Sequence, residues 1–196
     1  MKNIRLLLFL LLYDPTLKAQ SPRAGGIAPI VSASLGCSFT DLEVSSRRIG
    51  LNGVDAAFTV DVSPRLGGRI DVAYVRASNV LNSGNHIDVL SYLVGPVIYP
   101  VRRGRQALFA QALLGGARET AAIPDSGGGF FKGYVNQFAF AIGTGAEFRV
   151  YESIGVRIGA DYLHTRYFNP SPAITGQNDF RITVSLVHSF GRHRSN

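Results

Sequence analysis

Few residues in this chain offer chemistry. Histidines at positions 86, 164, 188 and 193, hydroxyls at Ser185 and Ser189 and a carboxylate at Asp161 are the raw material of a Ser/His/acid hydrolytic group. Such a group needs its base within hydrogen-bond reach of the hydroxyl it activates. The alternation of the chain argues against it. In residues 178–190, Phe180, Ile182, Val184, Leu186, His188 and Phe190 share one parity, whereas Arg181, Thr183, Ser185 and Ser189 hold the other. His164 likewise falls with the apolar set of its own segment and Asp161 with the polar set. At a period of two, base and nucleophile point to opposite faces of a strand. His86, His164, His188 and His193 also lack the mutual spacing of a metal site. Cys37 is the only cysteine, so neither a disulfide nor a Cys-based metal site is available, and it reads as a small packed thiol. Gly143-Thr-Gly145 lies inside a strand pattern instead of opening a helix, which is the wrong context for a nucleotide loop. Small residues that leave room for long neighbours explain it better. No catalytic residue, metal or cofactor is assigned.

What the polar parity does offer is charge. Val54, Ala56, Phe58, Val60 and Val62 alternate with Asp55, Ala57, Thr59 and Asp61, and Ile70, Val72 and Tyr74 alternate with Arg69, Asp71 and Ala73. Phe138, Phe140, Ile142, Thr144, Ala146 and Phe148 stand against Gln137, Gly143, Gly145, Glu147 and Arg149; Ile154, Val156, Ile158, Ala160 and Tyr162 stand against Arg157, Gly159 and Asp161. Each segment reads as a strand with one apolar and one polar face. A turn centred near Arg65 sets Asp61 opposite Arg69, and one centred near Glu152 sets Glu147 opposite Arg157, close enough for long side chains to meet. A one-residue bulge would shift the register and leave these charges paired elsewhere, as Arg181 with Asp161.

The elements that must position these groups are strands throughout. They fall near 30–39, 54–62, 69–74, 86–99, 108–114, 137–149, 154–162 and 178–190. Connections at 41–52, 76–85, 119–133 and 169–176 are long, and those at 63–67, 100–105 and 150–153 are tight turns marked by Pro, Gly or short polar runs. The facing of 86–99 is ambiguous, because Leu90, Tyr92 and Val94 blur the alternation. An even number of antiparallel strands, with short turns on one side and long loops on the other, is the layout of a transmembrane β-barrel. The expected fold is therefore all-β, an eight-stranded up-and-down antiparallel barrel. Its interior has room for its own side chains or one small ligand, so no wide pore is expected. Asp61, Arg69, Glu147, Arg157, Asp161 and Arg181 become charge pairs filling the lumen.

The start of the chain sets a compartment. Lys2 and Arg5 precede an apolar run from Leu6 to Tyr13, and Leu17-Lys-Ala19 offers a cleavage site, which is the layout of a secretory signal peptide over 1–19. A lead at 20–27, a barrel domain at 28–191 and a tail at 192–196 complete the expected organisation. Loss of Lys2, Arg5, Lys18 and Asp14 with the leader lowers the formal charge from +7 to +5. Basic residues spread along strands, without a Lys/Arg block, argue against a nucleic-acid partner.

Several fragments carry a family likeness: Tyr92-Leu-Val-Gly-Pro96, Ala110-Gln-Ala-Leu-Leu-Gly115, Ala141-Ile-Gly-Thr-Gly-Ala-Glu147, Val156-Arg-Ile-Gly-Ala-Asp-Tyr162 and Phe180-Arg-Ile-Thr-Val184. In their order and spacing the chain resembles the small eight-stranded OmpA-like outer-membrane β-barrel family, membrane domain only. A strand ending in an aromatic near the C-terminus also resembles the closing strand of such barrels. Only six residues follow Phe190, so the resemblance brings no expectation of the cell-wall-binding domain of larger members. It implies a bacterial outer-membrane location and outer-membrane lipids as surroundings. It also implies contact with the insertion machinery through the strand ending at Phe190, a monomer, and a structural or surface-interaction role with specificity in four external loops. The competing readings are a lipid- or peptide-modifying enzyme of that membrane and a soluble lipocalin-like carrier, whose polarity would be inverted.

Overall fold

The computed structural model describes residues 29–44, 47–78, 86–124, 130–165 and 177–190; the expected leader, lead and tail lie outside them. Eight strands, β1 (Ile30–Val44), β2 (Arg47–Ser63), β3 (Leu66–Ala77), β4 (Ile87–Arg103), β5 (Gln106–Pro124), β6 (Phe130–Arg149), β7 (Ile154–Thr165) and β8 (Gln177–Phe190), pair in sequence order. The antiparallel pairing of β1 with β8, from Val31 opposite Phe190 to Asp41 opposite Phe180, closes the barrel. Closure gives each strand a paired neighbour on both sides and leaves no sheet edge in the wall.

The strands run further than alternation predicts. Most of 41–52 is strand, since only residues 45–46 separate β1 from β2. The 119–133 connection is corrected in the same way: β5 continues to Pro124 and β6 resumes at Phe130, with 125–129 outside the described residues. Both hairpins rise past their neighbours; β7 pairs with β6 only as far as Ala139 opposite Thr165. Toward the loops the outward row turns polar, at Asp41 and Asn52, while Leu42 and Leu51 still pack inward, so the alternation inverts.

Tight turns close the other end. Ser63 Oγ accepts from the amides of Arg65 (3.3 Å) and Leu66 (3.0 Å), and Pro64 follows it with a fixed φ. The β4–β5 turn places Gly104 at φ +55°, a left-handed conformation that glycine adopts without a Cβ penalty.

Inside, the lumen has two layers. Its turn-side half carries most of the charges beside a small apolar cluster of Val97, Tyr99, Ala107 and Phe109, and its loop-side half is a core containing Leu42, Leu51, Val75, Val89, Leu93, Leu113 and Leu163, with Glu119 and Asp179 buried opposite Val89 and Leu163. This resolves the ambiguity of β4. Val89, Leu93 and Val97 are buried inward while Leu90, Tyr92 and Val94 are exposed outward, so both of its faces are apolar for different reasons. Cys37 corrects the expectation of a packed thiol. It is exposed on the outer wall with Phe39, because Ser34, Ser38 and Thr40 hold the inward parity.

Candidate functional site

Most of the lumen charges, with Glu119, Asp179 and the Asp61–Arg102 pair apart, form one connected chain of contacts across the barrel. Ser185 donates to Asp55 (3.2 Å), and Arg69 approaches Asp55 at 3.9 Å while donating to Asp71 from Nε (3.3 Å) and Nη2 (3.0 Å). Asp71 also accepts from Arg181 Nη1 (2.9 Å), and Arg181 turns its Nε and Nη2 to Asp161 at 3.1 and 2.7 Å. Gln111 links onward, donating to Asp161 (2.7 Å) and accepting from Arg157 (3.3 Å), which reaches Glu147 at 3.4 Å. Every strand but β1 and β4 contributes a residue. Arg181 is 1% exposed, so its charge is tolerated only because these carboxylates surround it.

The pairs expected from hairpin register fare differently. Glu147 stands directly opposite Arg157 and within ion-pair distance, and Asp161 stands opposite Arg181. Asp61 with Arg69 is a correction. The Ser63 cap holds the turn at Ser63–Leu66, and a register shift between Asp61 and Ser63 sets Arg69 opposite Thr59 and Asp61 opposite Gly67. Asp61 instead accepts from Arg102 at 2.7 Å. A second irregularity, between Ile98 and Val101, brings Arg102 to the inside, and neither shift carries a sequence signal at the level of alternation. Gln111 was missed as well, because a single amide among apolar residues looks like a filler.

Glycines make the space. A Cβ on Gly143 would meet the Asp161 carboxylate, and one on Gly145 would meet the Phe109 ring at 2.5 Å. Phe109 in turn carries the Arg157 guanidinium 3.5 Å above its ring centroid. Arg157 is thus held by a ring, an amide and a carboxylate together. Glu147 retains 19% side-chain exposure, so the Glu147–Arg157 contact belongs between the exposed and buried limits. A double-mutant cycle with Glu147→Ala and Arg157→Ala should give a coupling of about 1–2 kcal/mol, between those limits, read from urea unfolding of the refolded protein. A coupling of zero would mean that Glu147 contributes nothing to holding Arg157.

The hydrolytic group does not assemble. Ser185 is buried inward on Asp55, and Asp161 is taken by Arg181 and Gln111. His164 lies on the outer wall, with Nδ1 2.8 Å from Asn178 Oδ1 and its ring 5.0 Å from Phe140; His188 packs edge-on to Phe190 at 4.6 Å. His86 faces Asp88 at 3.5 Å, and His193 lies outside the described residues.

The outer wall is the second surface of interest. Its outward residues are apolar and exposed on every strand, among them Val54 (55%), Val94 (56%), Leu114 (57%), Ile142 (58%) and Leu186 (64%). On the loop side this belt ends at one polar residue per strand: Asp41, Asn52, Arg76, Asp88, Arg118, Asn136, His164 and Asn178. Asn52, Arg76 and Asp88 are register partners in turn, as are Arg118 with Asn136 and His164 with Asn178. Tyrosines sit just beneath and reach up to the ring, Tyr74 donating to Asp88 (2.8 Å) and Tyr162 to Asn178 (2.6 Å). Thr144, a polar side chain inside the belt, donates to the Phe109 carbonyl at 2.8 Å and so presents no free hydroxyl. From Asn178 to His188, at about 3.4 Å per residue and about 40° tilt, the belt is about 25 Å tall, the height of the apolar band of a transmembrane barrel.

No protein-family model matches the chain, and no curated protein matches it. Solved structures do. Ail, the attachment invasion locus protein of Yersinia pestis, solved in complex with the heparin analogue sucrose octasulfate, is 14% identical over 84% of this chain and 100% of its own, with a TM-score of 0.60. Neisserial surface protein A is 11% identical over 85% and 99%, with a TM-score of 0.65. The outer membrane protein OprG from Pseudomonas aeruginosa is 12% identical over 85% and 98%, with a TM-score of 0.53. The fold is that of the small eight-stranded outer-membrane β-barrels.

Proposed function

We propose that this protein is an integral outer-membrane β-barrel with a structural or surface-interaction role, in which the loop-side segments carry specificity and the lumen conducts no large solute. The observation that carries the reading is the exterior: an apolar belt of bilayer height ends on a ring of one polar residue per strand, while the charges lie at that ring or inside. A soluble carrier needs the reverse, since a patch of exposed apolar groups beyond a few hundred Å² drives association in water. An enzyme needs a nucleophile and base that meet, and the candidates here occupy opposite faces of the wall. The lumen supports a closed barrel, because its loop-side half is packed with Leu and Val and its turn-side half is cross-braced by Arg181, Arg69 and Arg157. Outer-membrane lipids are its surroundings, and the strand ending at Phe190 is its handle for insertion. As a monomer it has every strand edge in the belt paired.

Cys37 supplies the test, because the sole thiol sits outward within the belt, opposite Val54 and Val184. A charged, water-soluble maleimide should fail to label it in refolded vesicles and should label it fully after boiling in SDS. The folded form should also migrate differently from the boiled form on a gel. Rapid labelling in vesicles, with no heat-dependent mobility shift, would remove the membrane reading.

A further inference from the structure

The loop-side half of the lumen holds two carboxylates that the cross-lumen network does not use. Glu119 on β5 follows Arg118 of the polar ring and so lies beyond the belt, yet its side chain turns inward and is 5% exposed. Its register partners are Val89 on β4 and Val135 on β6. Leu42, Leu51 and Val75 bring hydrocarbon from β1, β2 and β3 into the same core. From β8 the facing group is the buried Asp179, whose charge acts on Glu119 across the lumen. β7 adds Thr165, diagonal to Asp179 in the register, whose buried hydroxyl has no hydrogen-bond partner. Among the described residues no cation stands within ion-pair distance of Glu119. The next inward residue along β8, Arg181, is committed to Asp161 and Asp71.

A carboxylate set in hydrocarbon beside a second carboxylate is poorly stabilised as an anion, and burial and like charge both favour its acid form. Burial first and the Asp179 charge second push Glu119 up from 4.5 to about 7. Two acids so placed accept one proton more readily than they carry two charges. A divalent cation would demand six or more oxygens, and no third acid, histidine or cysteine joins these two among the described residues. When the proton leaves, relief comes from water, which must enter between the leucines and valines of the loop-side core. The orphaned Thr165 hydroxyl is the polar group on hand to meet it. The closed core therefore binds the proton more tightly than an opened one, so closure is favoured fully below pH 4.5 and progressively less up to about 7.

We propose that Glu119, paired with Asp179, takes a proton from water and acts as an acid-set latch that holds the loop-side core closed and lets it open as the proton leaves. Neither group faces the belt, so the latch stands apart from the membrane reading. The test uses the full chain, isotope-labelled and refolded in detergent micelles, with the Glu119 carboxyl carbon assigned through Glu119→Gln and followed by NMR from acid to mildly alkaline pH. Its midpoint should fall at about 7. Asp179→Asn should lower that midpoint without returning it to 4.5, because burial is the larger cause. Backbone hydrogen exchange reads the latch itself. The protection factors of Ala117 and Leu163, which correct for base catalysis of exchange, should fall by up to about tenfold per pH unit between 4.5 and about 7 and level off above it. Glu119→Gln keeps the shape and cannot ionise, so its protection should stay flat over that window. A Glu119 midpoint in the ordinary carboxylate range would overturn the proton site. A raised midpoint with protection that ignores pH would overturn the latch, as would Glu119→Gln losing protection like the unaltered protein. Millimolar calcium that abolished the titration would make the occupant a metal ion and overturn the proton assignment. Should Glu119→Gln fail to fold, by the gel shift, Glu119→Asp supplies the assignment and Asp179→Asn the comparison, and a midpoint unmoved in Asp179→Asn would then overturn the pairing.

Discussion

Arg181→Ala should destabilise the refolded barrel by about 3–5 kcal/mol, the cost of stripping one partner from a buried ion-paired cluster. The side chain is 1% exposed and holds carboxylates from two strands at once, Asp161 on β7 and Asp71 on β3. After truncation Asp71 retains Arg69 and Asp161 retains Gln111, yet the cross-lumen link between β3 and β7 is gone and one negative charge is left without its cation. The comparison that isolates charge from packing is Arg181→Leu together with Asp161→Leu, which removes a cation and an anion and fills the space with hydrocarbon. Buried ion pairs replaced whole by apolar groups are often neutral, so the double variant should recover much of the loss. Urea unfolding followed by tryptophan-free probes, such as circular dichroism, gives both numbers. A loss below about 1 kcal/mol for Arg181→Ala would place the pair among exposed ones and deny the lumen its role as a brace.

The facing of this barrel was legible wherever a strand separates two unlike environments. Between Val54 and Val62, or Phe180 and Leu186, one parity meets the belt and the other meets charge, and the sequence alternates accordingly. The same alternation carried enough to expect Glu147 across from Arg157 and the histidines away from the serines. It failed in three places for three physical reasons. At the polar ring the outward row turns polar while the inward row stays apolar, with Asp41 and Asn52 outside and Leu42 and Leu51 in the core, so the membrane-strand pattern inverts and 41–52 looked like loop. In the loop-side half of the lumen the interior is itself apolar, so Leu113 (inward) beside Leu114 (outward) gives no contrast to read. Register depends on a turn cap and bulges, and the Ser63 hydroxyl that moves Asp61 away from Arg69 looks like any turn serine. Cys37 is a different case: the Ser34, Ser38 and Thr40 parity points it outward, and the usual preference of a thiol for burial does not override the phase of the strand.

Ile142→Arg should cost about 2–4 kcal/mol when the barrel is folded into a bilayer, whereas Phe140→Arg should cost less, because the penalty for arginine on the lipid face falls to about 0–1 kcal/mol near the interface. Alternation alone treats the two positions as equivalent, since both belong to the apolar parity of their segment. The structure separates them by depth. Phe140 is the register partner of His164, a member of the polar ring, and its own ring lies 5.0 Å from that imidazole, so an arginine there can snorkel to the headgroup level. Ile142 is midway along β6 between Asn136 in the ring and Phe148 at the turn-side margin, 58% exposed, and its partner Tyr162 faces the same medium. An arginine at 142 must therefore carry its charge into the centre of the hydrocarbon layer or drag water to itself. The variants are compared by the urea concentration needed to unfold them in vesicles and by the yield of the heat-modifiable form. The order Ile142→Arg worse than Phe140→Arg, with both near wild type in detergent micelles that can deform around a charge, is the expected result. Equal costs would mean that the polar ring does not mark the edge of the bilayer. A larger cost at Phe140 would move the midplane toward the loops and with it the depth assigned to every outward residue of the wall.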